Sequence, residues 1–288
     1  MSFSALSPSP SPAPKIKVQI YSDLHLEMNG PIYTSKYASR SLVYGGTRSG
    51  DLPSLAPYLF LAGDIGSLVI PSHQSAFETW LANQCAKHTY VFYVAGNHEF
   101  FGRRGGVDAG IAEMRRLSRL ACMGGRLVCL ENERFDIPGA GVSVLGCVLW
   151  SRIVPAQTSL GRLADVGSIS GTSIEEHTAR FERSYGFIKE AVRDIRAEGG
   201  ERRIVVLTHY CPLMVGSTRF EFRGSWSNWQ TDILGGEGVE GLGEGDTWIH
   251  GHTHFSHESW QDGVRVLSNS RGNSMERTRF EWDRVFEI

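Results

Sequence analysis

The sequence predicts an α/β fold in which several parallel strands end on one shared site. Three observations carry that prediction. Short apolar, β-branched runs alternate with stretches of helical spacing, the pattern of a parallel sheet with crossover helices. Five of the runs end in a polar cluster: Tyr21-Ser22-Asp23-Leu24-His25, Ala62-Gly63-Asp64, Gly96-Asn97-His98-Glu99, Thr208-His209, and Ile249-His250-Gly251-His252-Thr253-His254. Each cluster holds residue types that suit a hard or borderline metal ion.

Residues 1 to 14 end in alternating serine and proline, which favours extended, solvated chain. They are expected to be a disordered tail, with one domain over 15–288. Residues 15 to 21 alternate as a strand delivering Asp23 and His25; in an extended segment residues two apart share a side. Residues 28 to 57 are rich in glycine and proline and read as a long loop. Tyr58 to Ala62 is wholly apolar, as expected for a strand buried on both faces. It runs into Gly63-Asp64. His73 to His88 has Phe77, Trp80, Leu81 and Cys85 at helical spacing, and both flanking histidines read as surface or capping residues. Thr89 to Ala95 is the next strand.

A helix follows over 107–122, after the aromatic and basic stretch of Phe100, Phe101, Arg103 and Arg104. Residues 127–130 and 142–150 read as strands, and 151–171 as a second long loop. Thr172 to Glu198 is the longest helix, with Thr172 or Ser173 as cap and Gly199-Gly200 as stop. Residues 203–207 and 247–250 are strands delivering His209 and His252. The stretch 215–245, with Trp226, Asn228 and Trp229, is a third loop. Residues 263–270 and 284–288 close the domain as strands.

Composition narrows the class. Hydrophobic content of 41% and charged content of 21% are ordinary for a soluble globular protein. The formal net charge of -2 gives no basic face for nucleic acid. No apolar run approaches the roughly 18 residues of a membrane helix, and the N-terminus lacks the basic and apolar regions of a signal peptide. Five cysteines without a Cys-x-x-Cys pair read as reduced, mostly buried thiols and a cytoplasmic setting.

Asp23, His25, Asp64, Asn97, His209, His252 and His254 make three oxygen donors and four imidazoles. Seven groups exceed one tetrahedral site and suit two divalent ions sharing a bridge. Without a thiolate, the set suits Mn, Fe, Zn, Co or Ni better than Mg or Ca. Asp64, with two oxygens and a central position in the series, is the natural bridge. Two ions about 3.5–4 Å apart would clamp a phosphoester and activate a shared water for in-line attack. His98 can then protonate the leaving oxygen or hydrogen-bond a phosphoryl oxygen, oriented by Glu99 or Asp64. His250 and His257, near this cluster but outside its pattern, read as structural. Phe100, Phe101, Trp150 and Tyr210 stand beside it as packing residues or as platforms for a base. Arg103, Arg104 and Arg271 are candidate phosphate holders, and Cys211-Pro212 reads as a strand end.

The ordered series Asp23-x-His25, Gly63-Asp64, Gly96-Asn97-His98-Glu99, His209 and Gly251-His252-x-His254 resembles the calcineurin-like metallophosphoesterase superfamily. The resemblance implies a four-layer α/β/β/α sandwich with a dinuclear centre. It implies Asp23, His25 and His254 on the first ion, Asn97, His209 and His252 on the second, Asp64 between them, His98 as catalytic histidine and Glu99 behind them. Protein Ser/Thr phosphatases of that superfamily carry Gly-Asp-x-Val-Asp-Arg-Gly and an arginine before Gly-Asn-His-Glu. Here Ile65-Gly66-Ser67 follows Asp64, and Ala95 precedes Gly96. The set is more similar to the phosphodiesterase branch, including class III cyclic nucleotide phosphodiesterases. The stretch Ser268-Asn269-Ser270-Arg271-Gly272 resembles small microbial members. A small phosphoester is the implied partner, with a phosphomonoesterase or a non-catalytic scaffold as the competing readings.

Overall fold

The computed structural model describes residues 15–29, 52–102, 105–153, 164–218, 230–272 and 278–288. The expected tail 1–14, Arg103, Arg104, Trp226, Asn228, Trp229 and much of the three expected loops lie outside these residues.

The strands are β1 (Lys17–Tyr21), β2 (Tyr58–Ala62), β3 (Tyr90–Val94), β4 (Leu127–Cys129), β5 (Glu133–Ile137), β6 (Val142–Cys147), β7 (Arg203–Thr208), β8 (Thr247–Ile249), β9 (His257–Gln261), β10 (Val264–Ser268) and β11 (Phe286–Glu287). The helices are α1 (Pro71–Lys87), α2 (Gly106–Ser118), α3 (Ala164–Ser168) and α4 (Ile174–Ala197). Two mixed sheets form, in the orders β11-β1-β2-β3-β4 and β5-β6-β7-β8-β10-β9. Within each sheet the inner strands run parallel, and β11, β5 and β9 pair antiparallel at the edges.

The period-two alternation of each strand decides the layering. Val18, Ile20, Phe60, Ala62, Phe92, Val94, Val144, Val205, Leu207, Ile249 and Leu267 belong to one apolar cluster between the sheets. Alternate residues of the same strands (Leu59, Leu61, Val91, Tyr93, Leu145, Val206, Trp248) turn the other way and pack with Phe77 and Leu81 of α1 or Phe181 and Ile188 of α4. Phe60 stacks on Phe92 at 4.7 Å inside the sandwich, and Phe77 meets Tyr93 edge-on at 6.0 Å outside it. A strand buried on both faces needs the unbroken apolar run that β2 and β3 have. The result is the expected α/β/β/α sandwich.

Most boundaries fall where the sequence puts them. Ser173 caps α4, its hydroxyl accepting from the Glu176 amide at 3.1 Å. Gly199 and Gly200 follow with left-handed backbones (φ 77° and 86°). Three expectations need correction. The strand expected over 142–150 stops at Cys147, because Leu149 and Trp150 turn to φ 75° and 63°. The helix expected over 107–122 ends at Ser118, and a separate 3-10 turn covers Ala121–Met123. Strands β5 and β9 are absent from the sequence reading. Their residues, Glu-Arg-Phe-Asp-Ile and His-Glu-Ser-Trp-Gln, are largely polar and only partly covered, as befits an edge strand. All five cysteines are unbridged. Among the described residues, no helix is long and apolar enough to cross a membrane.

Candidate metal centre

The C-terminal ends of β1, β2, β3, β7 and β8 deliver all five polar clusters to one place. Three overlapping groups have ligand atoms within 4.8 Å of one another: Asp23, His25 and His254; His25, Asp64 and His98; Asp64, His209 and His252. The seven residues grouped from sequence therefore share one site, with Asn97 joined through its Oδ1, which lies 3.0 Å from His209 Nε2.

The backbone that achieves this differs from expectation. Asp23 and His25 were expected to share a side because the chain is extended. Instead β1 ends at Tyr21, and Asp23 (φ 53°) and His25 (φ 47°) are left-handed. Asp64 (φ 53°), His252 (φ 68°) and His254 (φ 48°) are as well. Such backbones cost on the order of 1 kcal/mol each and persist only where surrounding contacts fix them. Here the loops clamp one another: Asp23 N donates to Gly63 O at 3.0 Å, and His25 N to Asp64 O at 2.9 Å. His252 N donates to the Asp23 carboxylate at 3.0 Å. Gly96 is required by space, since a Cβ there would collide with Asp64 Oδ1 and the His209 ring.

Asp64 sits between the two halves. Its Oδ2 is 3.9 Å from His25 Nε2, and its Oδ1 is 3.5 Å from His209 Nε2. Ring nitrogens converge in pairs on either side: His25 Nε2 and His254 Nε2 are 3.1 Å apart, His252 Nδ1 and His209 Nε2 2.9 Å. His209 Nδ1 donates to Ala62 O at 2.9 Å, which turns Nε2 toward the site. Asp23 is fixed by Ser270, whose hydroxyl donates to Oδ2 at 2.7 Å.

Charge supports a cation here. Asp23 and Asp64 are buried, at 0% and 1% exposure. Among the described residues, only histidines stand within ion-pair distance of either. Burial alone would raise Asp64, but His209, His98 and His25 outweigh it and hold its carboxyl well below the usual range. Burial would lower His209, yet the Asp64 carboxylate pushes it up to about 9. The facing His252 is held well below its ordinary value, by burial first and His209 second. Two buried carboxylates with converging imidazoles and no thiolate fit a borderline divalent ion, which would compensate their charge.

His98 stands at the mouth, its side chain 28% exposed. Burial would lower its imidazole, but Asp64 and Glu27 outweigh that and push it up to about 9. Its amide donates to Asp64 Oδ1 at 2.9 Å, and Phe101 stacks on its ring at 4.2 Å. The ring is not oriented by Glu99, as the sequence reading allowed. Glu99 accepts from the amides of Asp64, Ile65, Gly66 and Gly96 and from the Tyr93 hydroxyl, all within 3.2 Å. It shapes the two glycine turns behind the site. Burial and the nearby Asp64 charge push its pKa up, while the five donors aimed at its two oxygens favour the ionised carboxylate. Asp64 orients only the His98 backbone. The ring's Nδ1 partner is Glu27 Oε1, at 3.2 Å.

Phe100, Trp150 and Tyr210 are buried and pack on one another, so they are not open to a base. Arg271, 9% exposed, donates from Nη1 to Leu24 O at 3.1 Å. His250 is fully buried, with Nδ1 bonded to Gly251 O at 2.9 Å and Nε2 3.5 Å from Cys211 Sγ. It is structural, as expected, and burial pushes it down to about 3. His88 caps α1 through Gln84 O at 2.9 Å.

Two residues escaped the sequence reading. Glu27 extends the Asp23-x-His25 spacing by one more step, a signal that was present. Asp165 lies on α3, within the expected loop 151–171. It accepts from Asn97 Nδ2 at 2.8 Å and from the Tyr210 hydroxyl, and nothing in its local sequence marks it.

Comparison with known proteins agrees with this geometry. The family model for calcineurin-like phosphoesterases matches residues 16–256. An uncharacterized protein, L509, of Acanthamoeba polyphaga mimivirus is 22% identical over 280 residues, covering 90% of this chain and 92% of that protein. The crystal structure of a phosphopantetheinyl hydrolase from Mycobacterium tuberculosis covers 96% of both chains with a TM-score of 0.56 at 17% identity. This chain belongs to the calcineurin-like phosphoesterase family, and phosphoester hydrolysis is its reaction class.

Proposed function

We propose that this chain is a dinuclear metal-dependent phosphodiesterase for small, nucleotide-like diesters. The observation that carries the reading is the position of Asp64 between two groups of converging imidazoles. Asp23, His25 and His254 would hold one divalent transition-metal ion, and Asn97, His209 and His252 the other, with Asp64 reaching both. Bound there, such ions supply Lewis-acid stabilisation of the phosphoryl oxygens and lower the pKa of water.

The chain's own residues do the rest. His98 projects to the mouth, where the neighbouring Asp64 and Glu27 carboxylates favour the protonated ring. As the P–O bond to the leaving group breaks, the electron pair stays on that oxygen. The His98 Nε2 proton joins it, water supplies the hydroxyl that phosphorus gains, and the water's other proton passes to solvent, from which His98 is reprotonated. Glu99 keeps the Gly63 and Gly96 turns in place, so that Asp64 and Asn97 reach the same point.

Preference for diesters rests on charge. Leu68 and Ala95 stand where a phosphatase of this superfamily carries the arginine of Gly-Asp-x-Val-Asp-Arg-Gly and the arginine before Gly-Asn-His-Glu, and a diester has one negative charge fewer to neutralise. The structural neighbour is a phosphopantetheinyl hydrolase, which supports a hydrolytic reading. Five unbridged cysteines support a cytoplasmic setting. The test is to strip the protein with chelator and restore Mn, Ni, Zn or Mg. Bis(p-nitrophenyl) phosphate is then compared with p-nitrophenyl phosphate, alongside 2′,3′- and 3′,5′-cyclic nucleotides. Faster diester cleavage supports the reading, and faster monoester cleavage replaces it with a phosphomonoesterase.

A further inference from the structure

One carboxylate oxygen stands between two imidazoles that have different tasks. Glu27 Oε1 lies 3.2 Å from His25 Nδ1 and 3.2 Å from His98 Nδ1. The two rings pack edge to face at 4.5 Å. Glu27 sits on a 3-10 turn, Leu26–Asn29, which leaves β1 directly after the Asp23-x-His25 loop. That turn is anchored from outside by Leu26 N donating to Ile65 O at 3.0 Å. The carboxylate is 9% exposed, and its Oε2 makes no hydrogen bond among the described residues. Its two imidazole contacts are therefore what hold it in this position.

We infer that Glu27 is a positioning residue that fixes which nitrogen of His25 and of His98 faces the reaction. The inference rests on the proposed phosphodiesterase reading for the roles of the two histidines. An ionised carboxylate only accepts, so each Nδ1 must carry a hydrogen and donate it. His25 Nε2 is then left with a lone pair toward Asp64 and His254, the form a metal ligand needs. His98 Nε2 becomes the nitrogen at the mouth, where a leaving oxygen would stand. Phe101 closes the far face of His98 at 4.2 Å, so the ring is gripped by a hydrogen bond on one side and an aromatic plane on the other. One acceptor thus links a candidate ligand to the candidate acid. Removing it takes away the acceptor that both Nδ1 atoms share.

The test uses the full chain with Glu27→Ala and with Glu27→Gln, which keeps an acceptor oxygen at the same reach. The first readout needs neither metal nor turnover. In the wild type, the Nδ1–H protons of His25 and His98 give downfield, slowly exchanging proton resonances, and Glu27→Ala loses both while Glu27→Gln keeps them. Wild-type protein without those resonances overturns the proposal even if no variant folds. The second readout is the affinity for Mn, expected to fall roughly 10- to 100-fold in Glu27→Ala. The third compares leaving groups. Turnover of 2′,3′-cyclic AMP, which releases a ribose alkoxide, falls roughly 10- to 100-fold, while bis(p-nitrophenyl) phosphate, whose nitrophenolate leaves without help, changes only a few-fold. Equal losses on both substrates, or identical behaviour of the Ala and Gln variants, overturn the proposal. Wild-type protein that turns over neither substrate refutes the phosphodiesterase reading instead, and the resonances still decide the role of Glu27.

Discussion

Asn97 and Asp165, 68 residues apart in sequence, are joined by a 2.8 Å hydrogen bond from Nδ2 to Oδ1. That bond decides which end of the Asn97 amide faces the site. With Nδ2 turned to Asp165, Oδ1 points at His209 Nε2, 3.0 Å away. Asp165 is held in turn by the Tyr210 hydroxyl, and the Tyr210 ring stacks on His252 at 4.1 Å. One buried acid on α3 thus supports Asn97 directly and His252 through Tyr210, two of the residues proposed to hold the second ion.

Asp165→Ala is therefore expected to release the Asn97 amide and weaken the second ion's binding roughly 10- to 100-fold, as losses behind a metal ligand typically do. The first ion's affinity is expected to stay within a few-fold, because Asp165 is bonded to Asn97 and Tyr210, on the other side of Asp64. A metal titration that resolves two affinities checks this, and equal weakening of both would count against it.

His98→Ala should lower kcat for diesters roughly 10²- to 10⁴-fold, the usual contribution of a general acid. Metal content should stay unchanged, because the alanine keeps the backbone amide that donates to Asp64 Oδ1. Unchanged turnover would remove His98 from the mechanism.

Glu99→Gln places an amide NH2 among four backbone N–H groups and the Tyr93 hydroxyl, all of which donate. At least one buried donor loses its acceptor, at a cost of about 1–3 kcal/mol. A chemical denaturation midpoint well below that of the wild type is expected, with reduced metal binding, since the Gly63 and Gly96 turns relax together. Wild-type stability would mean that Glu99 is protonated in the folded protein.

His177, whose Nδ1 lies 3.7 Å from Asp165 Oδ2, supplies a pH prediction. It is fully buried, and its Nε2 accepts from Ser151 N at 3.3 Å. Burial first, and Arg180 second, push it down to about 3 from 6.5. Between those values the unfolded chain binds a proton that the folded one does not. Its stabilising contribution is therefore complete above pH 6.5 and lost as pH falls toward 3. His177→Gln is expected to flatten the stability-versus-pH slope in that window by at most about 1.4 kcal/mol per pH unit. Urea denaturation at several pH values reads it, and an unchanged slope would mean that His177 titrates normally in the fold.

The sandwich and the gathering of the site were legible because both follow from strong local patterns. A strand buried on both faces must be apolar throughout, so β2 and β3 stand out, and the polar residues that end them are conspicuous by contrast. What stayed hidden depends on the partner chain segments. Edge strands β5 and β9 are polar, and only their pairing with β6 and β10 makes them strands. Leu149 and Trp150 take left-handed backbones that their side chains do not favour, so the end of β6 could not be read from composition. Asp165 acts through a fold-level contact with Asn97. Glu27 was readable as a continuation of the Asp23-x-His25 spacing, but its link to His98 needed the 3-10 turn at Leu26–Asn29 to bring it there.

Two ions are proposed to serve one hydrolytic site. The most direct measurement is turnover of bis(p-nitrophenyl) phosphate by chelator-stripped protein, followed as Mn is added in equivalents per chain. Activity is expected to rise to a break at two equivalents, and Asp64→Asn neither to retain two ions nor to turn over. A break at one equivalent, or two ions and full activity in Asp64→Asn, would contradict it.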